Sequence, residues 1–203
     1  MSRTVDYYIA PISPWSYLGH QRFTAVVKAT GASVRVRPFD IGAVFAASGG
    51  VPNAQRPAQR QAYRLVEIAR FSTALEIPMH LHPKFFPVPG DAAARLIIAV
   101  ERFDGQDAAL RITGAVFAAV WAQERDIANQ TVLSELLAEC GLAAERAQQA
   151  QAPDIQALYE EFTRQAIEAQ VFGAPSYVID GEIFWGQDRL DFVRKALGGQ
   201  PSP

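Results

Sequence analysis

Residues that favour β-structure are confined to the two ends of this chain, while the stretch from about residue 40 to residue 170 is patterned as helix. Val5 to Ala10 is rich in β-branched and aromatic residues and stops at Pro11, which predicts a short buried strand. Ser13-Pro14 then supplies an N-cap residue followed by proline at the first helical position, where a missing N–H costs nothing. The helix it starts is expected to run to Gly31. Ala32 to Phe39 alternates apolar and basic residues with period two, a second strand with one solvent-facing side until Pro38 interrupts it. Such a βαβ opening crosses over right-handed and makes the two strands parallel. Its loop falls at the carboxyl end of strand one, where open α/β sheets bind ligands.

In the middle, apolar residues recur at three and four spacing, predicting helices near 41–47, 58–76, 90–103, 107–124, 130–140, 143–151 and 154–170. SGGVPNAQRP and PMHLHPKFFPVPG stand out as loops. The β pattern returns at Ser176 to Ile179 and Glu182 to Trp185, with Asp180-Gly181 between them as a hairpin turn. DRLDFVRKALG closes the chain as an amphipathic helix ending in glycine, with a soft tail from Gly198 to Pro203. At 203 residues and 49% hydrophobic, the chain can bury a full core without a metal or disulfide staple. Lys+Arg 19 nearly balances Asp+Glu 21, so no strong field advertises itself to nucleic acid or an anionic membrane, and the expected partner is a small molecule or another copy. Cys140, the single cysteine, excludes an intramolecular disulfide and reads as a buried thiol in LLAECGL. The start shows no signal-peptide pattern and no 18-residue apolar run suggests a membrane span, so a cytoplasmic enzyme is expected.

Strands first, a long helical block, then Ala-Pro leading into a hairpin and a final helix is the plan of an α/β thioredoxin-like fold. Residues 1–40 and 171–203 would form that domain and 41–170 a large all-helical insertion. Ser13-Pro14-Trp15-Ser16 has the length and position of a C-x-x-C redox motif with both sulfurs replaced by hydroxyls, which excludes dithiol exchange. The helix N-terminus still favours an anion, because unpaired N–H groups and the dipole leave partial positive charge there. Ser13 can donate its hydroxyl proton to a thiolate arriving on a ligand, glutathione being the obvious candidate, and so lower that thiol's pKa. In this fold Pro175 is where a cis-proline stands beside the active loop, leaving the backbone of Ala174 to pair with an extended peptide. Gly186-Gln187-Asp188-Arg189 would open the last helix and hold glutathione's charged γ-glutamyl end, Asp188 pairing with its amino group.

Each of these residues has a plainer structural reading. Ser13 before proline is by local pattern a helix cap, a role compatible with catalysis. Ser16 is read as a small packing residue, Trp15 and Tyr17 as packing residues at the loop with Trp15 able to line a pocket, and His20 as structural or surface. His80 and His82 in MHLHP lack a nearby third carboxylate or cysteine ligand, so no metal is expected; with Lys84 and Phe86 they are candidates to contact an anionic substrate. Asp188 could simply complement a helix dipole.

DYYIAPISPWSYLG near the start and VFGAPSYVIDGEIFWGQDRLDF near the end resemble the 2-hydroxychromene-2-carboxylate isomerase family, related to kappa-class glutathione transferases and to DsbA-type oxidoreductases. The likeness spans nearly the whole chain. It implies a homodimeric, glutathione-dependent enzyme of bacterial aromatic hydrocarbon catabolism that interconverts 2-hydroxychromene-2-carboxylate and trans-o-hydroxybenzylidenepyruvate. Reversible thiolate addition would turn a double bond into a single bond, allow rotation and return the other isomer. Ser13 matches the family's glutathione-activating serine. Ala174, Pro175, Trp185, Gly186, Gln187 and Asp188 match its glutathione-contacting segments, and Asn53 and Phe86 are the candidates for contacting the aromatic substrate. One departure stands out: relatives carry an asparagine after a glycine in the loop matching Ser48-Gly49-Gly50, where this chain has Gly50 and the nearest asparagine is Asn53. Two other functions compete, a kappa-like glutathione transferase that leaves the thiolate attached to an electrophile, and a non-catalytic thioredoxin-like module that has lost chemistry with its cysteines.

Overall fold

A computed structural model describes residues 3–199. β1 (Thr4–Ile9), α1 (Pro14–Thr30) and β2 (Ser33–Pro38) form the opening βαβ unit. The helical stretch comprises α2 (Ile41–Ser48), α3 (Ala58–Ala74), α4 (Asp91–Asp104), α5 (Gln106–Trp121), α6 (Gln130–Glu139), α7 (Arg146–Gln149) and α8 (Pro153–Glu168). β3 (Ser176–Ile179), β4 (Glu182–Trp185) and α9 (Leu190–Ala196) close the chain. The four strands make one sheet in the order β2-β1-β3-β4, with β1 parallel to β2 and antiparallel to β3. This is the expected thioredoxin-like sheet with a large helical insertion.

Local sequence explains the boundaries. Ser13 caps α1 with its side chain on Ser16 N–H, and Gly31 ends the helix in the left-handed region at φ +65, which a side chain disfavours. Asp180 and Gly181 both have positive φ, 51 and 86, as a two-residue hairpin turn between right-twisted strands requires. The sheet is buried on both faces. Val5, Tyr7 and Ile9 of β1 point into the main core, which they share with α1, α4 and α5. Tyr8 points the other way, with Val178, Phe39, Val44 and Ala166, under α2 and α8.

Three details differ from expectation. The basic side of β2 faces solvent at Ser33 and Arg35 but not at Arg37: both arginines reach Asp6 on the neighbouring strand, and the Arg37 guanidinium lies 4.1 Å from the Phe162 ring of α8. Charge neutralisation by Asp6 and the apolar face of Phe162 let α8 cover that side at Arg37. The helix expected over 143–151 shrinks to the single turn α7, its Arg146 tied back to Asp104. Cys140 is half-buried at the end of α6 instead of lying fully in the core, and burial raises its pKa.

β2 is an edge strand, and its outward N–H groups are not left bare. Val34 donates to Gln106 Oε1 at 2.8 Å and Val36 to Glu101 Oε1 at 2.7 Å, so two side chains stand in for a neighbouring strand. Burial pushes Glu101 up to about 7, against the opposing Val36 N–H bond and the nearby Arg37 charge. A carboxyl whose folded pKa lies above its unfolded one favours the protonated fold, so this stabilisation is lost as pH rises toward 7. Glu101→Gln keeps an acceptor for Val36 without the charge. It should raise stability at pH 8 by on the order of 1–2 kcal/mol and change little at pH 4.5, measured as urea midpoints. Glu101→Ala should destabilise at both, by about 1–3 kcal/mol, because Val36 N–H loses its partner.

Candidate active site

The position of α1 is set by an aromatic stack. Tyr7 of β1 and Tyr177 of β3 lie parallel with ring centroids 5.3 Å apart, and Phe23 of α1 packs on both at 4.4 and 4.7 Å. Behind it, His20 Nε2 lies 2.9 Å from Leu110 O and its Nδ1 3.3 Å from Tyr7 Oη. With Nε2–H donating to the carbonyl, Nδ1 is the acceptor for Tyr7. Burial lowers the His20 pKa to about 4, against the Leu110 hydrogen bond. His20 is thus structural, one of the two readings its sequence allowed.

This packing brings the start of α1 against the segment before β3. Ser13 Oγ accepts from Ser16 N–H at 3.1 Å and donates to Ala174 O at 3.2 Å. The Ala174–Pro175 peptide bond is cis, as expected, and Pro175 O accepts from Gly186 N–H at 2.9 Å. Ser13, Ala174, Pro175 and Gly186 therefore form one hydrogen-bonded cluster drawn from three separated segments. Among the described residues neither Trp15 N–H nor Ala174 N–H has an acceptor. The first turn of α1 contains no acidic residue to neutralise its positive end. A serine hydroxyl, an orphan helix N–H and a free strand-like N–H suit an anionic sulfur carried on an extended peptide backbone. Ser16 is wholly buried with its hydroxyl unpartnered, so it is not presented to a ligand.

The turn after β4 corrects one expectation. Gln187–Arg189 is a 3-10 turn, and the α-helix α9 begins only at Leu190, so the Gly186-to-Asp188 segment is not the first turn of the helix. Gly186 has φ +109, and a Cβ there would meet Asp188 Oδ1 at 2.6 Å, which requires glycine. Gln187 is 2% exposed, and both its backbone O and its Oε1 accept from Arg22 Nη1 of α1, at 3.2 and 2.7 Å. Its side chain anchors the turn. Asp188 is exposed and pairs with Arg189 at 2.6 Å. Trp185 is 50% exposed, resting on Phe172 at 4.7 Å and over Gly173, where a Cβ would collide with its Nε1 at 2.5 Å.

Asn53 and Phe86 lie in the insertion. Asn53 begins a 3-10 turn, its Oδ1 buried without a partner. At Gly50 a Cβ would lie 2.3 Å from the Phe45 ring. Phe86 stacks on Trp121 at 4.8 Å. Its loop is tied to the active loop at both ends, by Tyr17 Oη donating to Pro78 O at 2.7 Å and by Gly90 against Pro11 and Ile12. His80 serves through its backbone, donating to Trp121 O at 2.7 Å, and among the described residues no three His, Cys, Asp or Glu side chains gather as metal ligands. Sequence reasoning missed Arg22, since nothing local links positions 22 and 187.

Residues 4–198 match the family model of the DSBA-like thioredoxin domain. The chain is 31% identical to a 2-hydroxychromene-2-carboxylate isomerase of Pseudomonas sp. (strain C18) over 205 residues, covering 97% of this chain and 91% of that protein. It is 23% identical to Glutathione S-transferase kappa 1 of Homo sapiens, covering 98% and 92%. A solved structure of a selenomethionine-labelled 2-hydroxychromene-2-carboxylate isomerase superposes with a TM-score of 0.78 at 26% identity, covering 96% and 94%.

Arg22→Met should leave the buried Gln187 carbonyls without their donor, costing about 1–3 kcal/mol in the urea midpoint. Amide hydrogen exchange should quicken at 186–189 while β1 stays protected; unchanged exchange at 186–189 would show that Arg22 does not hold this turn.

Proposed function

The chain belongs to the DsbA-like thioredoxin domain family and to the 2-hydroxychromene-2-carboxylate isomerase family, and from that membership we propose that it is a glutathione-dependent isomerase. Its substrate pair is 2-hydroxychromene-2-carboxylate and trans-o-hydroxybenzylidenepyruvate or a close aromatic analogue. The observation that carries the reading is Ser13 Oγ at the start of α1, bonded to the carbonyl of the residue before a cis-proline, with unpartnered N–H groups on both sides. Glutathione, when bound, supplies the thiolate that adds reversibly to the conjugated substrate.

The residues of this chain bind and activate that thiol. Ser13 must release Ala174 O to donate to sulfur. A neutral hydrogen bond at 3.2 Å is worth about 1 kcal/mol net, whereas a bond to a charged acceptor is worth about 1.5–3, so the exchange favours the thiolate. Donation to the charged form, together with the orphan Trp15 N–H and the helix dipole, lowers the thiol's pKa. Ala174 N–H pairs with the cysteinyl backbone of glutathione. Trp185, Gly186 and Asp188 border the tripeptide, and Gln187 holds them in place through Arg22. Asn53 and Phe86 contact the substrate from the insertion. The same reading makes the protein a cytoplasmic homodimer of aromatic catabolism. Similarity to a kappa-class transferase keeps a second reading in view, in which glutathione is consumed.

Incubation with hydroxychromene carboxylate and substoichiometric glutathione should give many turnovers per glutathione. Activity confined to conjugation of a chlorinated nitroaromatic would replace the isomerase reading with the transferase one. Ser13→Ala should lower kcat about a hundredfold or more with glutathione affinity little changed, and an unaltered rate would refute the role given to Ser13.

A further inference from the structure

α3 carries a guanidinium that, among the described residues, has no hydrogen-bond or ion-pair partner. Arg64, Ile68 and Phe71 fall at i, i+4 and i+7 and therefore share one face of the helix. Ile68 is wholly buried and Phe71 meets Trp15 of the active loop edge-on at 6.0 Å, so this face reaches the active loop two residues after Ser13. Arg64 is half-buried about two turns before Phe71. Among the described residues it has neither a hydrogen-bond acceptor nor a carboxylate partner; its contact is the Phe86 ring, 5.6 Å from the guanidinium carbon. Burial and the nearby Arg56 both work against its charge and lower its pKa. By contrast, Arg37 is paired with Asp6 and Arg146 with Asp104.

A ring beneath a guanidinium occupies its face and leaves its edge N–H donors unused. Trp121 also touches Phe86, and its Nε1–H is buried without an acceptor. Two side chains in contact with Phe86 thus carry donors that the fold leaves open. The loop bearing Phe86 is held at its ends by Tyr17 of α1 and against Pro11 and Ile12, which precede Ser13.

We propose that Arg64 is the residue that receives the carboxylate of an aromatic acid substrate, holding it edge-on by paired hydrogen bonds while Phe86, Trp15 and Phe71 pack its ring. The assignment rests on the active-site reading above and extends it, giving this chain a selectivity for planar aromatic monocarboxylates over their neutral analogues. A carboxylate fits because the guanidinium edge matches its two oxygens and because Arg64 has no carboxylate partner among the described residues.

Titration of the whole protein, without glutathione, with trans-cinnamate and with trans-cinnamamide isolates the charge from the shape. The wild type should bind cinnamate at least about tenfold more tightly. Arg64→Gln should erase that preference with cinnamamide binding unchanged, Arg64→Lys should restore part of it, and Arg70→Gln on another side of the same helix should leave it intact. A preference that survives Arg64→Gln, that is lost equally in Arg70→Gln, or that is absent from the wild type overturns the proposal. Loss of isomerase activity with Arg64-dependent cinnamate binding retained would sink the isomerase reading and leave this one standing, and an active isomerase indifferent to Arg64 would do the reverse.

Discussion

The interlock of Phe23 with Tyr7 and Tyr177 fixes where everything else in the site can be. It joins α1 to both central strands with three rings that have no solvent exposure. Each such ring removes roughly 150–250 Å² from water, several kcal/mol at about 25 cal/mol per Å². The single hydrogen bond from Ser13 to Ala174 contributes about 1 kcal/mol. The separation between the start of α1 and the residue before Pro175 is therefore set by the core, and the hydroxyl is free to change partners without the helix moving. A site whose geometry depended on its own hydrogen bonds could not exchange one for a ligand so cheaply.

Polar groups near that core are handled in two opposite ways. His20 is buried neutral, its folded pKa of about 4 lying below the unfolded value, so it favours the fold above pH 6.5 and loses that contribution as pH falls toward 4. Glu101, raised to about 7 by burial at the β2 edge, contributes in the other direction across much of the same range. The two slopes oppose each other between about pH 4.5 and 6.5, which flattens the stability profile where either group alone would tilt it. Neither residue touches Ser13, so the site does not depend on their titration.

Most of the fold was legible because it rests on local signals. The strand that stops at Pro11, the Ser13-Pro14 cap, the Gly31 terminator and the Asp180-Gly181 turn each act within a few residues, and the structure has all of them. Sequence pattern failed where tertiary contacts decide. The alternation in β2 marked its basic side as solvated, which holds at Ser33 and Arg35, but Asp6 from β1 and Phe162 from α8, distant in sequence, cover Arg37. The last helix was expected to open at Gly186; Arg22, far earlier in the chain, holds Gln187 in a 3-10 turn instead. Of the candidate site, Ser13, Ala174, Pro175 and Gly186 were legible and stand together. Arg22 and Arg64 were not, because an arginine's meaning lies in what it faces, and helical spacing alone does not say.

The chemistry open to Ser13 can be narrowed from its surroundings alone. A serine that attacks a substrate itself needs a base to take its proton. Ser13 Oγ touches the Ser16 amide N–H, which is a donor, and the Ala174 carbonyl, which accepts a hydrogen bond but cannot carry off a proton at neutral pH. The one imidazole in α1, that of His20, is turned toward Tyr7 and Leu110. Ser13 is consequently equipped to donate and not to attack. A fold that usually houses its own sulfur here keeps the positive helix end and the carbonyl before the cis-proline, and offers a hydroxyl where the sulfur would be. Under the proposed function such a site is complementary to a thiolate it does not contain, and the nucleophile arrives with a ligand.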